Sequence, residues 1–95
     1  MRREQLLSVA LDLASRDHYL LVTQQRLAAA AGVSRALPQH YFKGMRQMRD
    51  QLMREAVKQK RLDVIAQGLI CRNPAAMAAS LELKRSALAF IRSIL

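Results

Sequence analysis

Residues 24–36, with the sequence QQRLAAAAGVSRA, decide the fold of this chain. Leu27 and Ala28 begin the apolar face of a short helix, and Gly32 follows as a residue type that readily ends a helix in a left-handed turn. Ala28 is small enough for a second helix to cross close by, and Ser34 is placed to cap that helix. This spacing predicts a helix-turn-helix.

The helical pattern continues on both sides of this stretch. Thr23 and the pair Asn73-Pro74 are start signals for helices, and no strand pattern or internal repeat is present. We therefore expect an all-α fold of about five helices, in which two C-terminal helices follow the helix-turn-helix. The expected helices are residues 3–16, 24–31, about 35–42, 46–71 and 74–95.

Four further expectations concern single residues or small sets of residues. Pro38 falls early in the third helix, where a proline removes a backbone donor and crowds the first turn, so this helix should be shortened or shifted. Phe42 is expected in the core, Met45, Met48 and Met53 are expected as packing material, and Cys71 as a small buried residue.

Composition and charge point to a partner. The chain has 95 residues, of which 52% are hydrophobic and only 4% aromatic, so the core of this single small domain is thin. A second chain often completes a core of this kind. The formal net charge of +9 favours polyanions as partners, with nucleic acid first and an acidic membrane surface second.

Several classes of protein are not expected. No apolar run approaches the length of a membrane span, and the single cysteine offers no disulfide framework, which fits a reducing cytoplasm. His18, His40 and Cys71 lack the spacing of metal ligands. Neither a nucleophile in a known context nor a glycine-rich phosphate loop is present, so we expect no enzyme, no cofactor and no metal.

Residues 6–48 resemble, without a gap, the N-terminal DNA-binding domain of TetR-family transcriptional repressors. The landmarks that carry the resemblance are the opening helix at residues 6–13, the pair Val22-Thr23, the stretch from Leu27 to Ser34, and His40-Tyr41-Phe42. The resemblance implies a homeodomain-like helix-turn-helix over residues 1–45 that binds double-stranded DNA. Residues 46–95 would then form a helical dimerisation region.

The sequence also departs from that family. His18 stands where the family has a glycine, Ala14 replaces a bulky aromatic residue, and Pro38-Gln39 replaces a Leu-Tyr pair. Met45 stands where family members often direct a lysine at a phosphate, although Lys43 is nearby. Because only two helices are expected after residue 45, we expect no enclosed small-molecule effector site within this chain.

The candidate site residues follow from their places in these helices. A residue one turn into a helix that enters the major groove points at base edges, while cations at the helix ends meet phosphates. The alternatives are plainer: solvated glutamine and histidine side chains, a tyrosine that covers a small core, and a threonine that only caps a helix. The expected DNA contacts are Thr23, Gln24, Gln25, Ser34, Arg35, Ala36, Gln39, His40, Tyr41 and Lys43, and the expected dimer contacts are Leu81, Leu88 and Ile91.

These observations favour a cytoplasmic, sequence-specific transcriptional regulator. We expect a repressor that binds a palindromic operator as a homodimer, with no role at a membrane. Two alternatives stay open: a helical interaction protein that binds and inhibits a protein partner, and a nucleic-acid binder without sequence preference.

Overall fold

Apolar residues spaced three and four apart organise the chain into helices, as expected. The computed structural model describes residues 1–94, and within them the chain forms seven α-helices and a single 3-10 turn at Tyr19–Leu21. The helices are α1 (Arg3–Asp17), α2 (Gln24–Ala31), α3 (Ala36–Tyr41), α4 (Met45–Gln59), α5 (Leu62–Ile70), α6 (Pro74–Met77) and α7 (Leu81–Ile94). The all-helical fold is confirmed.

The long helix predicted over residues 46–71 is wrong, because the chain breaks between α4 and α5. Lys60 adopts a left-handed conformation with φ of 56°. Its N–H donates to the carbonyl of Val57 at 3.2 Å, and the N–H of Arg61 donates to the carbonyl of Ala56 at 2.9 Å. This pair of hydrogen bonds closes α4 as a Schellman motif without the glycine that usually marks one.

The helix predicted from residue 74 to the end is also two helices. Asn73 caps α6 as predicted, since its side-chain oxygen accepts from the N–H groups of Ala75 and Ala76 at 2.9 and 3.3 Å. A second cap follows at Ser80, whose hydroxyl accepts from the N–H of Leu83 at 3.1 Å and starts α7. Leu95, expected on the apolar face of this last helix, lies outside the described residues.

One hydrophobic core contains residues from both expected regions, residues 1–45 and residues 46–95. It is built mainly on α1, α4 and α5, and α7 packs along α5. The packing roles predicted for Phe42, Met48 and Met53 are confirmed, because all three are fully buried. Cys71 is exposed rather than buried, because it lies at the end of α5 in the turn before Asn73.

Gly68 sets how closely three helices approach. A Cβ atom at this position of α5 would lie 2.7 Å from the Cβ of Ala76 on α6 and 2.7 Å from the Cε of Met53 on α4. Real Cβ atoms do not approach other atoms so closely, so a side chain here would force the neighbouring helices apart.

Gly68→Ala should destabilise the fold even though alanine is the better helix former. We expect a loss of about 1–3 kcal/mol in the free energy of unfolding from overpacking. Urea denaturation measures it. The control is Gly44→Ala, where an added Cβ meets nothing within 4 Å, and where a change below about 1 kcal/mol is expected. Equal stability of Gly68→Ala and the unsubstituted chain would contradict this account.

Candidate nucleic-acid interface

The turn between α2 and α3 is fixed by backbone hydrogen bonds. Gly32 adopts the left-handed conformation predicted for it, with φ of 70°. Its N–H donates to the carbonyl of Ala29 at 3.3 Å, and the N–H of Val33 donates to the carbonyl of Ala28 at 3.0 Å. These two bonds are those of a Schellman motif, so the direction in which the chain leaves α2 is set by the backbone itself.

The start of α2 has a side-chain cap and a tie to the end of α3. Thr23 accepts the N–H of Arg26 at 3.1 Å, which confirms its predicted role as N-cap. The amide nitrogen of Gln24 donates to the carbonyl of Phe42 at 3.1 Å and so holds the two helices together. Among the candidates Thr23, Gln24 and Gln25, Gln25 is exposed and the other two are half-buried.

The third helix is short, as Pro38 predicts, but it begins differently from the expectation. It starts at Ala36, and no side chain of the described residues caps it, so the predicted cap at Ser34 is wrong. Arg35 already has helical dihedral angles, and the carbonyl of Ser34 accepts the N–H of Leu37 at 3.1 Å in a turn. Pro38 becomes the third residue of the helix, where its missing N–H would have had no partner within the helix.

The outer face of α3 carries the predicted contact residues. Ala36, Gln39 and His40 are exposed at spacings of three and four, while Pro38 and Phe42 on the opposite face are buried. Arg35 and Lys43 are exposed just before and just after the helix. The structure therefore brings five of the ten candidates onto one continuous surface: Arg35, Ala36, Gln39, His40 and Lys43.

Tyr41 is held within the chain. Its ring is half-buried and lies edge-on to His40 with the ring centroids 5.3 Å apart. Its hydroxyl donates to the carbonyl of Met1 at 3.1 Å, which brings the start of the chain beside α3. Arg3 is the first residue of α1, and its Nε donates to the side-chain oxygen of Gln51 on α4 at 2.6 Å.

A groove of about 1010 Å³ lies beside this surface, open to solvent, between the 3-10 turn and the first turns of α4 and α6. Lys43, Arg46 and Arg49 contribute positive charge to its lining, and Asp50 contributes one negative charge. Arg49 also donates to the carbonyl of Leu20 at 2.9 Å. On the opposite wall, burial raises the pKa of the Tyr19 hydroxyl, so this group stays neutral at physiological pH.

Gln67 positions the connection between α1 and α2, and the sequence analysis does not predict this role. Its amide nitrogen donates to the carbonyl of Ala14 at 3.0 Å, and its amide oxygen accepts the N–H of Tyr19 at 2.9 Å. Between these two residues His18 has φ of 127°, a positive value that glycine adopts more readily than histidine. Gln67 is distant in sequence from both partners, so no local pattern could reveal it.

Residues 1–94 contain no group of three or more histidine, cysteine, aspartate or glutamate side chains that could hold a metal ion. None of their helices is both long enough and apolar enough to cross a bilayer.

Comparison of the chain with protein-family models, curated proteins and solved structures finds no significant match. The resemblance to TetR-family repressors therefore depends on the residues quoted above and on their spacing.

Gln67→Leu should loosen the connection that leads into α2. The substitution keeps the volume but leaves the half-buried N–H of Tyr19 without a partner, which costs about 1–3 kcal/mol in the free energy of unfolding. Chemical denaturation measures this loss, and hydrogen exchange at Tyr19 locates it. Gln59→Leu, at an exposed site on α4, is the control and should change stability by less than about 0.5 kcal/mol.

Proposed function

We propose that this chain is a DNA-binding transcriptional regulator that reads the major groove with the outer face of α3. The observation that carries the proposal is the exposed row of Ala36, Gln39 and His40, with Arg35 and Lys43 at its two ends. A glutamine can bond an adenine edge through two hydrogen bonds, and a small residue leaves room for the approach of the helix.

The distribution of charge supports this proposal. Residues 18–49 contain no aspartate or glutamate, so the whole segment from the end of α1 to the first turn of α4 is positive or neutral. A long duplex polyanion would meet no repulsive carboxylate within that segment. The cations of the segment are Arg26, Arg35, Lys43, Arg46 and Arg49.

The candidates divide into two roles. Gln39 and His40 would contact base edges, because they lie in the middle of the exposed face. Arg35 and Lys43 would bind phosphates on either side and set the register of the helix. Thr23 and Gln24 would act through structure, since their side chains hold α2 in place against α3.

We further propose a homodimer that binds a palindromic operator as a repressor, as the resemblance of residues 6–48 to TetR-family repressors implies. Leu81 and Leu88 are 61% and 50% exposed on α7, so both side chains are accessible to a second copy. Ile91, also expected at the interface, packs in part against the chain's own core. The contact between copies would therefore rest mainly on the two leucines.

Selection of bound sequences from a random DNA pool should return a palindrome. On that site Gln39→Ala should cost about 1–3 kcal/mol in binding and relax the preference at one base pair. Lys43→Ala should weaken binding to all sequences and lower the salt slope by about one unit per half-site. Gln59→Ala, on an exposed glutamine of α4, is the control and should change neither.

Other results of the DNA selection and of the α3 substitutions would favour other functions. Salt-dependent binding with no preferred sequence would favour the non-specific binder. Unchanged affinity and specificity in both α3 variants, with the fold intact by circular dichroism, would show that this helix does not read DNA.

The dimer is tested on residues that the monomer does not need. Leu88→Glu and Leu81→Glu should shift the chain from dimer to monomer at micromolar concentration, because each places a charge in an apolar contact. Analytical ultracentrifugation measures the change. Leu21→Glu, at a leucine that is 54% exposed on the 3-10 turn, is the matched control and should leave the dimer intact. A monomeric unsubstituted chain at high concentration would overturn the dimer proposal.

A further inference from the structure

The outer side of α7 combines an apolar stripe with a border of cations. Leu81 and Leu88 lie one heptad apart and so share a side of the helix. Next to them a shallow groove of about 490 Å³ is lined by Arg85, Leu88, Ala89, Ile91 and Arg92. Arg85 and Arg92 are seven residues apart, so both arginines border the same groove.

Positive charges outnumber negative charges on α7. Its residues include Lys84, Arg85 and Arg92, and its acidic residue is Glu82 in the first turn. Lys84 donates to the carbonyl of Met77 at 3.0 Å, which holds its ammonium group beside the start of the helix. Neither arginine takes part in an ion pair within the described residues, so both remain available to an acidic group from outside.

An acidic helix is a better electrostatic match for this surface than the second copy of the proposed dimer, whose contact would rest on apolar side chains. In an antiparallel pair that crosses at Leu88, Lys84 of one copy would lie opposite Arg92 of the other. In a parallel pair, Arg85 and Arg92 would each lie opposite the same residue of the other copy. Like charges placed opposite one another would weaken the dimer without removing its apolar contact, and each copy carries a net charge of +9.

We propose that the outer side of α7 binds an acidic amphipathic helix of a partner protein. Its apolar residues would cover Leu81 and Leu88, and its carboxylates would pair with Arg85 and Arg92, whose guanidinium groups suit two-point binding of carboxylates. The inference deepens the proposed function, because such a helix would compete with the second copy for α7. The acidic partner would then release the operator by dissolving the dimer.

The test uses a synthetic helical peptide of leucine, alanine and glutamate, with leucines at spacings of three and four. A matched peptide carries lysine in place of every glutamate. Fluorescence anisotropy with the full chain should show that the acidic peptide binds at least tenfold more tightly than the basic one, and that added salt weakens it. Equal binding of the two peptides, or no binding of the acidic one, would overturn the proposal.

Charge reversal then locates the peptide on the chain. Arg85→Glu with Arg92→Glu should weaken binding of the acidic peptide at least tenfold, and the milder Arg92→Gln should give a partial loss. Both arginines are exposed, so the fold should survive, as circular dichroism would confirm. Lys43→Glu makes the same kind of charge change beside α3 and should leave binding unchanged. If Lys43→Glu abolishes binding while the α7 variants do not, the peptide is imitating DNA and the inference fails.

DNA selection carried out without peptide separates this inference from the proposed function. A failed peptide experiment together with a recovered palindrome would overturn only the partner helix. Conversely, peptide binding that depends on Arg85 and Arg92, with no selected DNA site, would support the α7 surface and overturn the regulator. Addition of the acidic peptide to a dimer on its operator should release the DNA at peptide concentrations that saturate α7.

Discussion

The arrangement of the whole chain depends on the side-chain amide of Gln67. This one group binds the carbonyl of Ala14 and the N–H of Tyr19, and so joins α5 to the connection between α1 and α2. Backbone groups at a helix end that leave water need partners, and here a residue from the second half of the chain supplies them. The connection that leads into α2 is thereby held by α5 as well as by α1.

Between α2 and α3, backbone hydrogen bonds do most of the positioning and leave the outward side chains exposed. The Schellman bonds at Gly32 set the exit from α2, and Gln24 holds the end of α3 through the carbonyl of Phe42. Pro38 is buried, so the inner face of α3 is rigid where it meets the core. The exposed residues of α3 therefore contribute little to the stability of the fold. Their side chains are available for binding.

The sequence predicted those elements whose ends carry a local signal. The bounds of α2 were predicted exactly to the residue because Thr23 and Gly32 mark them, and the outer face of α3 followed from its spacing. The break at Lys60 was missed because a lysine takes the place that a glycine usually fills, and the start of α7 because the signal of Ser80 is weaker than the apolar periodicity around it. Gln67 and Arg49 were missed because their partners lie far away in sequence.

If α3 reads DNA as proposed, its short length limits how many base pairs one copy of the chain can contact. Its six residues, at about 1.5 Å of rise each, extend along about 9 Å, which is less than three base-pair steps. A recognition helix of that length would distinguish too few base pairs to select one site among the roughly million or more competing sites of a genome. Selectivity would then require two copies that each contact a short half-site at a fixed separation. The spacing between the half-sites would contribute as much to specificity as their base sequence does.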